Sequence, residues 1–156
     1  RLFIAQPYIV EGSSMDPTFK DGDYLIVDQV SLHLSEPKRG EVVIMRYPKN
    51  PKKFFIKRII GLPGETIAIE NGKVFVKSSE SEKPTELGEN YIVYLKNENL
   101  TTSLKQDEYF VMGDNRAASS DSRSWGPLPA QNIIGRPFLR LLPARQLSLF
   151  PGDQSK

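Results

Sequence analysis

Residues 11–19 read EGSSMDPTF, two adjacent serines ahead of a Met-Asp-Pro-Thr turn. A serine hydroxyl attacks a carbonyl only when a base takes its proton. Histidine is the usual base, and the only one here is His33, in the loop sequence SLHLSEP. A lone histidine there reads as a surface or core side chain, so a Ser-His-Asp arrangement fails on inventory. One histidine and no cysteine also leave zinc without a donor set.

Lysine is the other base available to serine. Its ordinary pKa of about 10.4 keeps it protonated at neutral pH unless it is desolvated or set among cations. Lys20, Lys38, Lys49, Lys73, Lys83 and Lys105 lie in polar company. Lys57 does not: it sits in FFIKRIIGLPGE (54–65). On a strand, Phe55, Lys57 and Ile59 share one face, and Phe54, Ile56, Arg58 and Ile60 share the other. An apolar face depresses the lysine pKa, and Arg58 beside it adds positive charge that acts the same way. The plainer reading is a strand lysine that carries its amine out to water.

A third stretch, VMGDNRAASSDSRSWGP (111–127), follows the apolar run EYFVM. It reads either as a polar loop with Asx turns or as a fixed network. In the network Asp114 and Asp121 oppose Arg116 and Arg123, and the serines are placed to orient an amine.

These three stretches need elements to bring them together. The chain has 156 residues, 38% hydrophobic and 26% charged, which suits one domain with a real core and excludes a disordered chain. A net charge of +2 is too small to argue for nucleic acid. No apolar run reaches the ~18 residues of a membrane span. Short runs rich in Val, Ile, Phe and Tyr, bounded by Pro and Gly, predict strands near 2–10, 24–29, 41–46, 54–60, 66–70, 73–77, 91–95, 108–112 and 135–142. IAIENGKVFV (67–76) predicts a hairpin on a type I′ Asn71-Gly72 turn. Pro63-Gly64 is a second turn, and 129–133 forms one helical turn. Segment 78–107 is polar and acidic and reads as a mobile surface insertion. The expected architecture is mainly β: antiparallel sheets in a coiled, barrel-like sandwich with short helical turns, one domain over 1–156.

SSMDPTF (13–19), FIKRIIGLPGE (55–65) and, as the third box, MGDNRAASSDSR (112–123) resemble, in the right order, the sequence boxes of bacterial type I signal peptidases, and RGEVVIMRYP (39–48) matches a fourth. The resemblance runs from about residue 1 to 142. It implies that Ser14 is the nucleophile, Lys57 the general base, and Ser119 the serine that hydrogen-bonds and orients the lysine. It further implies that Asp114, Arg116, Asp121 and Arg123 form a salt-bridged network behind the site. Many members carry a hydroxyl of the oxyanion hole two residues before the nucleophile; here that position is Gly12. Backbone N–H groups, including that of Ser14, are then expected to fill the hole, where one donor is worth about 3 kcal/mol. Ala117 and Ala118 also depart from the family's usual polar residues.

The resemblance implies a serine endopeptidase that removes signal peptides from exported preproteins after an Ala-X-Ala-type site, without a cofactor. Val10, Met15, Phe19, Leu25, Ile44, Phe55 and Ile56 are the candidate walls of its small pockets. An extended substrate is expected to add to strand edges near 9–11 and 54–56. The partners implied are preproteins and a membrane lipid surface, with no nucleic acid and no metal. Phe3, Phe19 and Trp125 are candidates for an apolar surface beside the site. The basic stretch Arg46, Lys49, Lys52, Lys53, Lys57 and Arg58, free of acids between Glu41 and Glu65, is a candidate for lipid headgroups. The chain starts at Arg1 and its first methionine is Met15. A trimmed chain is therefore expected, its anchor upstream, working on the outer side of a plasma or thylakoid membrane. The rivals are self-cleaving SOS repressors with the same Ser-Lys chemistry, a noncatalytic β-module, and a basic nucleic-acid-binding barrel. The third box argues against the first, the presence of Ser14 and Lys57 against the second, and the small net charge against the third.

Overall fold

The computed structural model describes residues 5–80 and 82–155. Its strands are β1 (Ala5–Ile9), β2 (Tyr24–Asp28), β3 (Val42–Tyr47), β4 (Asn50–Gly61), β5 (Thr66–Glu70) and β6 (Lys73–Lys77). They continue with β7 (Thr85–Glu86), β8 (Leu100–Ser103), β9 (Glu108–Met112), β10 (Leu128–Pro129), β11 (Ile133–Leu142) and β12 (Ser148–Leu149). One short α-helix, α1 (Ser122–Trp125), starts on the last two residues of the 112–123 box. The larger sheet runs β1-β2-β11-β3-β4-β9-β10, with β12 on β11; the smaller runs β7-β6-β5-β8. The pairings within each are antiparallel. Neither sheet closes into a barrel among the described residues.

β3 is apolar and buried over Val42–Met45 because it is central, with β11 on one side and β4 on the other. β4 changes character along its length: Asn50–Phe54 are exposed, and Ile56–Gly61 are buried. Its alternation divides it between cores. Phe55 and Ile59 pack with Val43, Met45 and Val111, whereas Ile56 packs with Met15, Phe19 and Leu25. Ile60 joins Ile67, Ile69 and Val74, which ties the smaller sheet to the larger. Each such aliphatic side chain contributes about 1.5–3 kcal/mol on full burial. β11 breaks register at Pro137/Leu139 and again at Arg140/Leu142. Pro137 has no N–H to donate, and bulges of this kind bend and twist a strand. β1, at the edge, comes to face the exposed half of β4: Pro7, Tyr8, Ile9 and Phe54 line one hollow.

The 67–76 hairpin forms as expected, with Glu70 opposite Lys73 and both Asn71 (φ 51°) and Gly72 (φ 81°) in the left-handed region. The helical turn near 129–133 is a 3-10 turn over Ala130–Asn132. The expected strand 91–95 does not form. Its Tyr91 ring lies on the Arg58 guanidinium, and Val93, Tyr94 and Leu95 are exposed without a ladder among the described residues. The segment around it, expected to be a mobile loop, carries β7 and β8 and is tied to the third box by Glu89 and Glu98. β7, β10 and β12 have two residues each, too short for a period-2 pattern to announce them.

Candidate active site

Ser14 lies on a turn over 13–19, closed by Asp16 N–H donating to Ser13 O (3.1 Å) and Phe19 N–H to Met15 O (2.9 Å). Met15 and Phe19 anchor the turn, both fully buried, and leave Ser14 partly open to solvent. The third box holds the turn at two places. Asn115 N–H donates to Ser14 O (2.9 Å), and Asn115 Nδ2 to Ser13 O (3.1 Å). Thr18 Oγ1 donates to Asp114 Oδ2 at 2.5 Å. Gly113 permits the approach: a Cβ there would sit 2.2 Å from Ser119 Oγ and 2.4 Å from Ser14 O.

Lys57 is 3% exposed. Its Nζ lies 2.9 Å from Ser14 Oγ and 3.1 Å from Ile56 O, and 5.0 Å from the centre of the Phe55 ring. Burial is the main cause that draws its pKa down to about 8, with Arg123 helping and Asp121 and Asp114 opposing. Arg58 is not the cation that acts. It points to the opposite face of β4, where Asp114 neutralises it through Nε–Oδ1 (2.8 Å) and Nη2–Oδ2 (2.6 Å). The pair is fully buried, and Nη1 also donates to Gly40 O and Gly152 O. Consecutive residues thus reach the nucleophile and the carboxylate that holds Thr18, so a one-residue slip of β4 would exchange them.

The network differs from the pairing expected. Asp121 does pair with Arg123 (2.8 and 2.9 Å) and accepts from Gly113 N–H (3.0 Å). Burial alone would raise its pKa, but Arg123 holds it below the usual carboxylate range, with Gly113 and Ser119 adding to the effect. Asp114 takes Arg58, and Arg116 pairs with both carboxylate oxygens of Glu89. The pairing follows reach: Arg116 Nε is committed to Gly113 O (2.9 Å), and the rest of its guanidinium meets the 78–107 segment.

Ser119 is near enough to Asp121 to help hold that carboxyl low, yet its buried Oγ makes no hydrogen bond of normal geometry. The Ser119–Lys57 bond implied by the resemblance is absent, since Lys57 Nζ turns to Ser14 Oγ and Ile56 O. Gly12 N–H donates to Asp21 Oδ1 (2.8 Å) and is therefore spent. Ser14 N–H has no partner among the described residues, which leaves it free to point at a developing oxyanion.

Six of the seven candidate pocket walls (Val10, Met15, Phe19, Leu25, Ile44 and Ile56) form one buried core cluster. Phe55 belongs to another and stacks on Tyr47 at 4.8 Å. The open space lies beside them, in a groove of about 500 Å³ lined by Pro7, Tyr8, Ile44, Phe54 and Ile134 among others. His33 lines it too, and Ser14 and Lys57 do not. Ile44, which pairs with Ile56 next to Lys57, links groove and amine. Phe19 is buried rather than exposed, Trp125 packs edge-on against Tyr47, and Phe3 lies outside the described residues. Exposed apolar side chains sit instead at Ile9, Phe54, Leu141, Leu142, Leu147, Leu149 and Phe150. The basic stretch divides: Arg46, Lys49, Lys52 and Lys53 are exposed on the β3–β4 hairpin, and Lys57 and Arg58 are buried. Sequence reasoning missed Thr18, Asn115 and Glu89. Only the polarity of Thr18 and Asn115 beside apolar anchors could have marked them.

A family model described as "Signal peptidase, peptidase S26" matches residues 1–142. The "Probable signal peptidase I-1" of Synechocystis sp. is 40% identical over 152 residues, 92% of this chain and 74% of the relative. A "Signal peptidase I" of Leptolyngbya laminosa is 37% identical over 155 residues, 94% and 73% of the two chains. A crystal structure of a signal peptidase I from Enterococcus faecalis V583 superposes with a TM-score of 0.55 at 26% identity, covering 65% of this chain and 97% of that one.

Proposed function

Because this chain belongs to the peptidase S26 family of signal peptidases, which remove signal peptides from preproteins, we propose that it does so as a Ser14–Lys57 serine endopeptidase. The observation that carries the reading is the 2.9 Å contact of a buried lysine amine, its pKa drawn down to about 8, with a partly open serine hydroxyl. When Lys57 is neutral the contact reverses: Ser14 Oγ–H donates to Nζ, while Ile56 O keeps one amine hydrogen. Ser14 Oγ attacks the scissile carbonyl, its proton passes to Nζ, and the oxyanion forms against Ser14 N–H. The protonated amine then gives its proton to the leaving nitrogen. In the second half Lys57, neutral again, activates water against the acyl-enzyme. Ser119 steadies the amine by taking a further amine hydrogen as the site closes on substrate.

The substrate lies extended in the groove between two open strand edges. Among the described residues β1 pairs only with β2, and β4 pairs with β9 only from Arg58 onward, so the other side of β4 is free before that residue. Backbone bonds to these edges would hold the peptide in register, and small pockets above the Ile44–Ile56 layer would select an Ala-X-Ala-type site. The chain works as one catalytic domain with the 78–107 segment as its insertion. It works at a membrane, where exposed apolar side chains beside the groove meet lipid. No helix among the described residues is long and apolar enough to cross one.

Cleavage of a preprotein in detergent tests the mechanism, with the parent, Ser14→Ala and Lys57→Ala compared. Cutting after the Ala-X-Ala site by the parent alone supports it. Equal cutting by Ser14→Ala would sink the nucleophile assignment.

A further inference from the structure

Three guanidiniums stand behind the candidate dyad, at Arg58, Arg116 and Arg123, and all three are buried or nearly so. Their inward partners are Asp114, Gly113 O and Asp121 of the third box, with Gly40 O and Gly152 O also on Arg58. Their outward partners come from one irregular segment. The Tyr91 ring covers Arg58 with its centre 4.2 Å from the guanidinium carbon. Glu89 grips Arg116 with both oxygens, and Glu98 Oε2 reaches Arg123 Nη1 at 3.2 Å. Tyr91 OH donates to Glu89 Oε2, which couples two of these contacts. The segment is itself tied down at both ends. Leu87 N–H donates to Val74 O, and Glu98 O accepts from Gly72 N–H. An ordinary surface loop has no reason to bring its polar side chains one each to three buried arginines.

We propose that residues 87–98 are a positioning strap for the Ser14–Lys57 pair, with Glu89, Tyr91 and Glu98 as its three contact points. The inference rests on the Ser–Lys reading above. Its logic is a chain of fixed contacts. Tyr91 holds Arg58, Arg58 holds Asp114, and Asp114 holds Thr18 on the nucleophile turn. Glu89 holds Arg116, whose Nε bonds Gly113 O, in the backbone packed against Ser14 O. Glu98 holds Arg123, which holds Asp121. The charged groups acting on Lys57 are Asp114, Asp121 and Arg123 from the third box, while Arg58 of its own strand points away and is neutralised by Asp114. Glu98 offsets Arg123, the one cation among them that lowers the lysine pKa.

The test compares the parent with Tyr91→Leu, Tyr91→Phe, Glu89→Gln, Glu98→Gln and Ser14→Ala on a signal-peptide substrate, with kcat and KM measured separately and folding checked by near-UV circular dichroism. Tyr91→Leu and Glu89→Gln should lower kcat about tenfold or more with KM within about twofold, the signature of misplaced reacting groups. Tyr91→Phe, which keeps the ring, should restore the parent kcat. Glu98→Gln should move the Lys57 inflection to lower pH by about half a unit. Following the Lys57 methylene signals by NMR reads that shift without needing turnover.

Folded Tyr91→Leu and Glu89→Gln with the parent kcat, together with an unmoved inflection in Glu98→Gln, would overturn the strap while leaving the Ser–Lys reading intact. If Glu89→Gln does not fold, the Tyr91 pair and the NMR titration decide. Activity that survives in Ser14→Ala overturns both readings.

Discussion

At Lys57 the decisive quantity is desolvation. A lysine titrating near 8 rather than 10.4 has about a tenth of its amines neutral at pH 7, against fewer than one in a thousand in water. kcat/KM should therefore rise about tenfold per pH unit below 8 and level off above it. A profile that is flat from mildly acidic to alkaline pH would remove Lys57 as the base. The same depression has a cost in stability. The folded pKa lies below the unfolded one, so unfolding takes up a proton between about 8 and 10.4. The parent carries the full cost below pH 8 and is relieved of it as pH rises through that window. Lys57→Met should thus abolish cleavage and yet raise stability at pH 7 by up to about 3 kcal/mol. Urea unfolding of both proteins at pH 7 and again near pH 10 checks this, and the gap should close at the higher pH. Ser14 and Lys57 could be singled out as candidates by the resemblance of their boxes, where residue types alone left Ser13 and a solvated lysine open. The partner of Arg58 could not, because Asp114 and Glu89 are equally acidic on paper and only reach distinguishes them.

At the scale of elements, β4 and the turn after β9 do the positioning. β4 could be read from its alternation, since a period of two places Lys57 and Arg58 on opposite faces whatever the rest of the chain does. The turn could not. Gly113 matters because two backbones and Ser119 converge on it, a long-range crowding that no local pattern records. Gly113→Ala should displace the Ser14 turn and lower kcat by about a hundredfold, with a stability cost of about 1–3 kcal/mol. Thermal unfolding and turnover measured on the same sample separate the two effects. Arg58→Leu should cost about 3–5 kcal/mol, because it leaves the Asp114 carboxylate buried without its cation. A melting temperature within a degree or two of the parent would contradict that. Segment 91–95 carries the composition of a strand but joins no ladder among the described residues, and its Tyr91 ring lies on Arg58 instead.

For the molecule as a whole, the bent larger sheet collects exposed apolar side chains at one end. Tyr24 pairs with Ile9 on one side and Leu142 on the other, so these side chains form a row across three strands beside Phe54. Lipid contact through this rim predicts that Leu142→Asp, away from the groove, weakens co-flotation with anionic vesicles several-fold while leaving cleavage of a short soluble peptide near the parent rate. Unchanged flotation would assign the rim to protein contacts alone. The sequence by itself determined the β class, the hairpin at Asn71-Gly72 and the order of the boxes, and through the resemblance of those boxes it marked Ser14 and Lys57 as candidates. These depend on side-chain type and on periods of two or of a turn, which are local. Only the tertiary structure decided that the candidate pocket walls are core, that Gly12 N–H is spent on Asp21, and that the acidic insertion reaches three buried arginines. Burial and hydrogen-bond partners are settled between residues tens of positions apart, by which surfaces the sheets bring together, and no spacing along the chain encodes that contact.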